Sequence, residues 1–348
     1  INVQVLNNNG TIQVETGILN LDSDSLGSVL TDGIYNVFSG ARLNLLDTTE
    51  LAGTLSGANN GTLNLPGILT VPIAATLNIG GSGIILFDPS INGTGTLTNQ
   101  SVLTMQGFPT NIQDGTTLVN QNLIDFTAAG DIFICNGSTL NNDVTGIIDF
   151  KGDTGNIQAC NSPPHTFLNS GLIRTSFTGD GSDTAQISAE LNNTGTIEVN
   201  NGTLILFNSS IQLNGGIYNI GADGILDLDN IVTAAGSLSG TISGNGLFKW
   251  NGQLNVPVAA SFDFGGTGII DWFNGSLNGG GILTNNNIIN IGSAANAFIF
   301  GGSTLVNNNT INFNSNDDLL IETGGTLNNE LNGDINFLAD GAQIGVNG

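Results

Sequence analysis

The chain repeats itself at long range. Residues 115–120 (GTTLVN) return as residues 302–307 (GSTLVN), 187 positions later, and residues 71–76 (VPIAAT) return as residues 256–261 (VPVAAS), 185 positions later. Such repetition indicates a repeat architecture, in which each unit buries its apolar face against its neighbours. The sequence is therefore interpreted as two tandem copies of one long unit.

The two copies differ in length. The first occupies residues 1–187, and the second, truncated copy occupies residues 188–348; we expect them to form one continuous rod. The chain begins at Ile1 without a methionine or a basic-then-apolar leader. We therefore expect a segment of a longer protein whose targeting signals lie elsewhere.

Short alternations of apolar and polar residues, separated by glycine and asparagine, fill both copies. Residues 61–65 (GTLNL), 122–126 (NLIDF) and 224–228 (GILDL) are examples. A period of two residues is typical of β-strands. Glycine and asparagine also oppose helix formation. The sequence therefore predicts an all-β fold with essentially no α-helix.

A finer period lies inside the long one. Leu118 and Leu140 are 22 residues apart, Phe126 and Phe150 are 24 apart, and the second copy repeats both spacings. Coils of about 22–24 residues, each with two or three short strands, predict a right-handed parallel β-helix, or β-solenoid. Asparagines at equivalent corners are expected to form hydrogen-bonded ladders. The candidates are Asn141, Asn142, Asn328 and Asn329.

Composition excludes several functions. The formal net charge is −24, with only four Lys and Arg residues among 348. Nucleic-acid binding needs clustered cations, and anionic membranes attract them, so we expect neither partner. No apolar run approaches the roughly 20 residues of a membrane-spanning helix, which predicts no membrane insertion in this segment. Hydrophobic residues make up 39%, too many for a disordered tail.

Cys135 and Cys160 are about one coil apart and both fall in the first copy. Their joint presence favours a disulfide between neighbouring coils in an oxidising compartment. Two buried free thiols are the alternative.

The rarer side chains suggest little catalysis. A nucleophilic centre needs a histidine held near its nucleophile, and the single histidine, His165, is interpreted as a surface loop residue. Trp250 and Trp272 could form a sugar-stacking platform. The first copy has apolar residues at the aligned positions, however, which favours core filling.

A pair of glycosidase carboxylates must also be considered. Asp125 and Asp149 align with Asn312 and Asn336 in the second copy, and no acidic constellation stands out. We therefore expect no enzyme and no catalytic residue. Calcium is the better chemical hypothesis, because acids and hydroxyls cluster in turns as a hard cation prefers, and hydrated turns are the alternative. The candidate calcium ligands are Asp22, Asp24, Asp180, Asp183, Asp317 and Asp318.

Motifs such as residues 137–142 (GSTLNN), 191–197 (LNNTGTI) and 325–329 (GTLNN) resemble the repeats of large bacterial surface adhesins. These include filamentous-haemagglutinin-like and autotransporter β-helices and the giant adhesins of gliding bacteria. The resemblance implies an extracellular or cell-surface location and a role in attachment. It transfers no catalytic residue.

The expected function is adhesion, or the spacing of an adhesive tip from the cell. Expected partners are a surface polysaccharide or another cell-surface ligand, neighbouring repeats, and copies of the chain joined end to end through open strand edges. A polysaccharide-degrading lyase or glycosidase and a purely structural stalk are the alternatives.

Overall fold

The computed structural model describes residues 7–21, 28–46, 48–160, 165–179, 182–208, 210–292 and 295–347. These residues form 43 β-strands and no helix, stacked in parallel as a β-solenoid of about 14 turns. The predicted all-β solenoid is therefore confirmed. The chain divides into two compact units, unit 1 (Ile1–Ile173) and unit 2 (Arg174–Gly348).

Most strands of unit 1 have three or four residues, because a turn with glycine or asparagine soon follows each alternation. They are β1 (Asn7–Asn8), β2 (Thr11–Val14), β3 (Ile18–Leu21), β4 (Ser28–Thr31), β5 (Ile34–Val37), β6 (Arg42–Leu45), β7 (Thr48–Ala58), β8 (Thr62–Leu65), β9 (Ile68–Thr70), β10 (Ala74–Gly80), β11 (Ile84–Phe87), β12 (Ser90–Asn92), β13 (Thr96–Asn99), β14 (Val102–Met105), β15 (Thr110–Ile112), β16 (Thr117–Asn120), β17 (Leu123–Phe126), β18 (Asp131–Ile134), β19 (Thr139–Asn142), β20 (Ile147–Phe150), β21 (Asn156–Ala159) and β22 (Thr166–Asn169).

The division between the units falls inside β23 (Leu172–Thr175). Unit 2 continues with β24 (Thr184–Ile187), β25 (Leu191–Asn193), β26 (Thr196–Phe207), β27 (Ile211–Asn214), β28 (Ile217–Asp229), β29 (Ile231–Ile242), β30 (Leu247–Trp250), β31 (Gln253–Asn255), β32 (Ala259–Gly266), β33 (Ile269–Trp272), β34 (Ser276–Asn278), β35 (Ile282–Asn285), β36 (Ile288–Ile291), β37 (Ala297–Ile299), β38 (Thr304–Asn307), β39 (Thr310–Phe313), β40 (Leu319–Glu322), β41 (Thr326–Asn329), β42 (Asp334–Phe337) and β43 (Ile344–Asn347).

In unit 1 each strand pairs with its counterparts in the neighbouring coils, which produces three parallel ladders. Ladder 1 is β2–β5–β7–β10–β13–β16–β19–β22, ladder 2 is β3–β6–β8–β11–β14–β17–β20, and ladder 3 is β1–β4–β7–β9–β12–β15–β18–β21. The long strand β7 belongs to two ladders because its backbone stays extended around a corner.

Unit 2 has the same organisation. Ladder 4 is β25–β27–β29–β31–β34–β37–β40–β43, ladder 5 is β26–β28–β29–β32–β35–β38–β41, and ladder 6 is β24–β26–β28–β30–β33–β36–β39–β42. The three long strands β26, β28 and β29 each turn a corner and pair in two ladders.

Equivalent residues stack directly on each other along each ladder. Leu118 pairs with Leu140, and Phe126 with Phe150, at the 22- and 24-residue spacings read from the sequence. All four side chains are fully buried. Burying a side chain of this size contributes roughly 1.5–3 kcal/mol, so the column of like residues is the main source of stability.

Coil length varies more widely than the sequence period suggested. Neighbouring coils are 18 residues apart where Ile85 pairs with Leu103, and 27 residues apart where Leu140 pairs with Phe167. The extra residues lie between strands. Turns can change length while the strand registers stay in phase, because a shift of one residue would turn the apolar side chains outward.

A column of asparagines runs through the interior of unit 1. The side-chain amide of Asn99 donates to Asn120 at 2.8 Å, Asn120 donates to Asn142 at 2.8 Å, and Asn142 donates to Asn169 at 2.7 Å. At most 1% of the surface of each residue is exposed. A buried amide is tolerated only when it is hydrogen-bonded, and here each residue supplies the partner that the next one needs.

Unit 2 contains a similar column. Asn285 donates to Asn307 at 2.9 Å, and Asn307 donates to Asn329 at 2.7 Å. The corner ladder predicted from the sequence is therefore present in both units. It includes two of the four candidate residues, Asn142 and Asn329.

The other two candidates, Asn141 and Asn328, do not belong to these columns. Asn141 pairs with Val119 on one side and Leu168 on the other, and Asn328 pairs with Val306. Successive side chains of a strand point to opposite faces of the sheet. Asn141 and Asn328 therefore point outward, while the next residues, Asn142 and Asn329, point inward and join the columns.

Asn120→Ala removes an internal rung of the column. It leaves the buried amides of Asn99 and Asn142 each without one partner, so we expect a loss of about 1–3 kcal/mol in the free energy of unfolding. Urea denaturation followed by circular dichroism measures it. The matched control is Asn141→Ala, in β19, the next strand of ladder 1, where the side chain points to the outer face. It should change the free energy of unfolding by less than about 0.5 kcal/mol. Equal effects of the two substitutions would contradict a structural role for the column.

Candidate functional site

The two cysteines meet between neighbouring coils of unit 1. Cys135 directly follows β18 and Cys160 directly follows β21, and these strands pair in ladder 3. The two Cα atoms are 5.2 Å apart and the sulfurs are joined as a disulfide. This separation lies within the usual range for such bonds. The bond ties two coils at a point where the register already aligns them.

Two aspartates stack on the outer face of ladder 2. Asp125 pairs in register with Asp149, and they are 8% and 0% exposed. The Lys151 ammonium lies 2.7 Å from Asp125 Oδ2 and 3.8 Å from Asp149 Oδ2. Two buried carboxylates at adjacent positions repel each other, and an ammonium within reach of both offsets that repulsion.

Unit 2 has a similar lysine–aspartate ion pair on ladder 6. Lys249 pairs in register with Asp227 and Asp271, and its ammonium lies 2.9 Å from Asp227 Oδ2. Burial raises the pKa of Asp227, while the hydrogen bond from Lys249 and the charge of its ammonium act in the opposite direction. The ammonium also lies 4.3 Å from the centre of the Phe273 ring, a favourable cation–π contact.

These contacts join neighbouring coils. Asp125 and Asp227 each accept a hydrogen bond from a lysine of another coil. Both lysines of the chain, Lys151 and Lys249, therefore donate to aspartate carboxylates. The arrangement ties coils together.

The candidate calcium ligands are only partly described. Asp22, Asp24 and Asp180 lie outside the described residues. Asp183 accepts a hydrogen bond from the backbone of Gly179 at 3.1 Å.

Asp317 and Asp318 also have protein partners. Asp317 accepts from the Ser315 hydroxyl at 2.6 Å, and Asp318 accepts two hydrogen bonds from Gln343, both at 3.0 Å. Within the described ranges, no three His, Cys, Asp or Glu side chains are grouped so that they could hold a metal ion. Calcium binding at these turns stays a prediction.

The tryptophans fill the core. Trp250 and Trp272 are fully buried and stack with ring centres 4.0 Å apart and planes 8° from parallel. The core-filling interpretation is confirmed, and neither ring faces solvent as a binding platform would.

The prediction that His165 is a surface loop residue is wrong. It is 4% exposed and directly precedes β22. Thr116 and Ser138 hold the same place before β16 and β19, and both are buried. The residue before each of these strands therefore points into a corner of the coil. The 27-residue spacing to β22 hides that equivalence in the sequence.

Sequence reasoning missed an open groove in unit 1, which we call the Phe108 groove. It lies beside ladder 2 and has a volume of about 460 Å³. Five of its lining residues matter for its chemistry: Asn64, Leu86, Asp88, Gln106 and Phe108. Phe108 lies in a Gly-Phe-Pro turn. A large apolar side chain in such a turn does not belong to the inward-facing row of a strand. This tripeptide was therefore the sequence signal for an exposed aromatic ring.

No helix long and apolar enough to cross a membrane occurs in the described part of the chain. A scan against protein-family models, a search of curated proteins and a search of solved structures each found no match to the chain.

Lys151→Met should expose the role of the ion pair. The substitution leaves Asp125 buried without its ammonium, so we expect a loss of about 1–3 kcal/mol in stability, less than for a fully buried pair because Lys151 is one-third exposed. Adding Asp125→Asn removes the stranded charge and should restore most of the loss in a double-mutant cycle. Equal stability of Lys151→Met and the parent protein would contradict this account.

The disulfide predicts that no thiol reacts when the protein is unfolded in guanidinium without reductant. Replacing both Cys135 and Cys160 with alanine should lower the free energy of unfolding by about 3 kcal/mol, because the bond closes a loop of 25 residues. Thiol titration and chemical denaturation measure the two effects. Two reactive thiols in unreduced protein would show that the cysteines are free.

Proposed function

We propose that the chain is a segment of a secreted, repetitive surface protein that mediates attachment or spaces an adhesive tip from the cell. The β-solenoid fold is compatible with a structural, repetitive stalk. The observation that most supports the proposal is the way polar side chains are used. Asparagines, aspartates and lysines bond from one coil to the next, an arrangement that resists separation of the coils.

The proposed location is extracellular. The inter-coil disulfide supports it, because such bonds persist in oxidising compartments and are rare where thiols are kept reduced. The resemblance to the repeats of bacterial surface adhesins supports it from the sequence. A net charge of −24 fits a partner that carries no phosphate and no strong negative charge.

The proposed partner is a surface polysaccharide. Each unit presents a succession of parallel strands with outward-facing Asn, Thr and acidic side chains, which can hydrogen-bond sugar hydroxyls. Binding at each coil would be weak. Many coils in a repetitive protein raise the effective concentration of binding groups, so avidity supplies the strength.

The test is incubation of the folded chain with immobilised neutral and acidic polysaccharides, with and without calcium. Retention on the matrix and release of soluble sugar are measured together, and the urea-unfolded chain controls for non-specific adsorption. We expect the folded chain to be retained without sugar release.

Two other outcomes contradict attachment. Sugar release would identify a polysaccharide-degrading enzyme instead. No retention on any matrix would leave a purely structural stalk.

A further inference from the structure

The Phe108 groove has an apolar wall. Phe108 is 71% exposed, more than any other aromatic side chain among the described residues. Gly107 before it adopts a φ of 99°, and Thr110 after it donates from its hydroxyl to the Phe87 carbonyl at 3.0 Å. The glycine permits the turn, and the fixed φ of Pro109 and the hydrogen bond of the buried Thr110 anchor it, so that the ring points into solvent.

The floor of the groove interrupts a row of outward-facing side chains on ladder 2. Asn64, Leu86 and Thr104 follow one another in register on β8, β11 and β14. Because Leu86 has no hydrogen-bonding group, the Asn64 amide has no amide partner on that side. The side-chain amides of Asn64 and Gln106 make no hydrogen bond within the described residues.

An unbroken row in unit 2 provides the contrast. Asn290, Asn312 and Asn336 lie in register on ladder 6. Asn312 donates to Asn290 and Asn336 donates to Asn312, both at 3.0 Å. In that row the outward-facing amides bond to each other. On ladder 2 Asn44 donates to Asn20 at 2.6 Å, but Asn64, in register with Asn44, does not continue the row. The free amides of the Phe108 groove are a local exception.

A carboxylate completes the groove. Asp88 Oδ1 accepts one long hydrogen bond of 3.5 Å from the Gln106 backbone, and Oδ2 has no partner among the described residues. Burial raises the pKa of Asp88, and that hydrogen bond opposes the rise. The groove thus combines an exposed ring, an acceptor with unused lone pairs and two free amides, and its lining contains no lysine or arginine.

We propose that the Phe108 groove binds one neutral pyranose residue of a glycan, an assignment that names the ligand class for the attachment role proposed above. The apolar C–H face of the sugar stacks on the Phe108 ring. Two adjacent hydroxyls donate to Asp88 and accept from the amides of Asn64 and Gln106. A small set of polar groups beside an apolar wall is typical of small-ligand sites.

The same position in the second sequence copy is closed. When the two copies are aligned with an offset of 185 positions, Lys249 stands in place of Asn64 and Phe273 in place of Asp88. There the ammonium lies over the ring at 4.3 Å and also bonds Asp227. A sugar would have to displace both contacts, so we assign the site to the first copy alone. The missing cation in the first copy also disfavours acidic sugars, since Asp88 repels a carboxylate.

The test measures binding of the full chain to soluble cellohexaose, laminarihexaose, maltohexaose and mannohexaose by titration calorimetry and saturation-transfer NMR. Trigalacturonic acid serves as the acidic probe. We expect at least one neutral hexaose to bind and the acidic probe not to bind.

Phe108→Ala and Asp88→Ala should each weaken binding at least tenfold. Phe38→Ala, a 44% exposed ring elsewhere in unit 1, is the matched control and should leave affinity unchanged.

The outcomes separate this proposal from the attachment role. Unchanged affinity in both groove variants, each shown by urea denaturation to be as stable as the parent, would overturn the site. Preference for trigalacturonic acid would overturn the neutral class. If no soluble hexaose binds, the groove assignment fails, while retention on immobilised polysaccharide would still support attachment through other surfaces.

Discussion

In-register parallel stacking of coils is the interaction on which the rest of the structure depends. Because each strand hydrogen-bonds to its counterpart in the next coil, every side chain lies against the same position of its neighbours. Leucine therefore meets leucine in the core, and the interior asparagines meet asparagines. A buried amide that would be costly alone becomes stabilising, since the neighbouring coil supplies its donor and acceptor.

The same constraint governs the charged residues. Stacking brings Asp125 onto Asp149, an arrangement that would be repulsive without Lys151. The chain has four Lys and Arg residues, and two of them, both lysines, pair with buried aspartates. Few cationic side chains therefore remain to contact a ligand. Polar groups become available for recognition where stacking fails to pair them. The break at Leu86 is such a place, and for that reason the Phe108 groove is the best candidate for ligand contact.

Much of the architecture could be predicted from residues that repeat. The spacings of Leu118 and Phe126 to their partners predicted the coil, and the aligned apolar positions predicted that Trp250 and Trp272 fill the core. The surface-loop prediction for His165 is wrong because its coil is longer than its neighbours, which conceals its equivalence to Ser138. The groove escaped prediction because its residues come from three successive coils and share no local motif.

The sequence by itself determined the β-strands, their alternation of inward and outward faces and the approximate length of a coil. These follow from the preferences of adjacent residues and from like residues recurring at the spacing at which they stack. Only the tertiary structure decided which outward side chains are covered, as Asp149 is, and which apolar ones are exposed, as Phe108 is. The reason is that turn length varies from coil to coil, and the turns set what lies over each face after the strands have aligned.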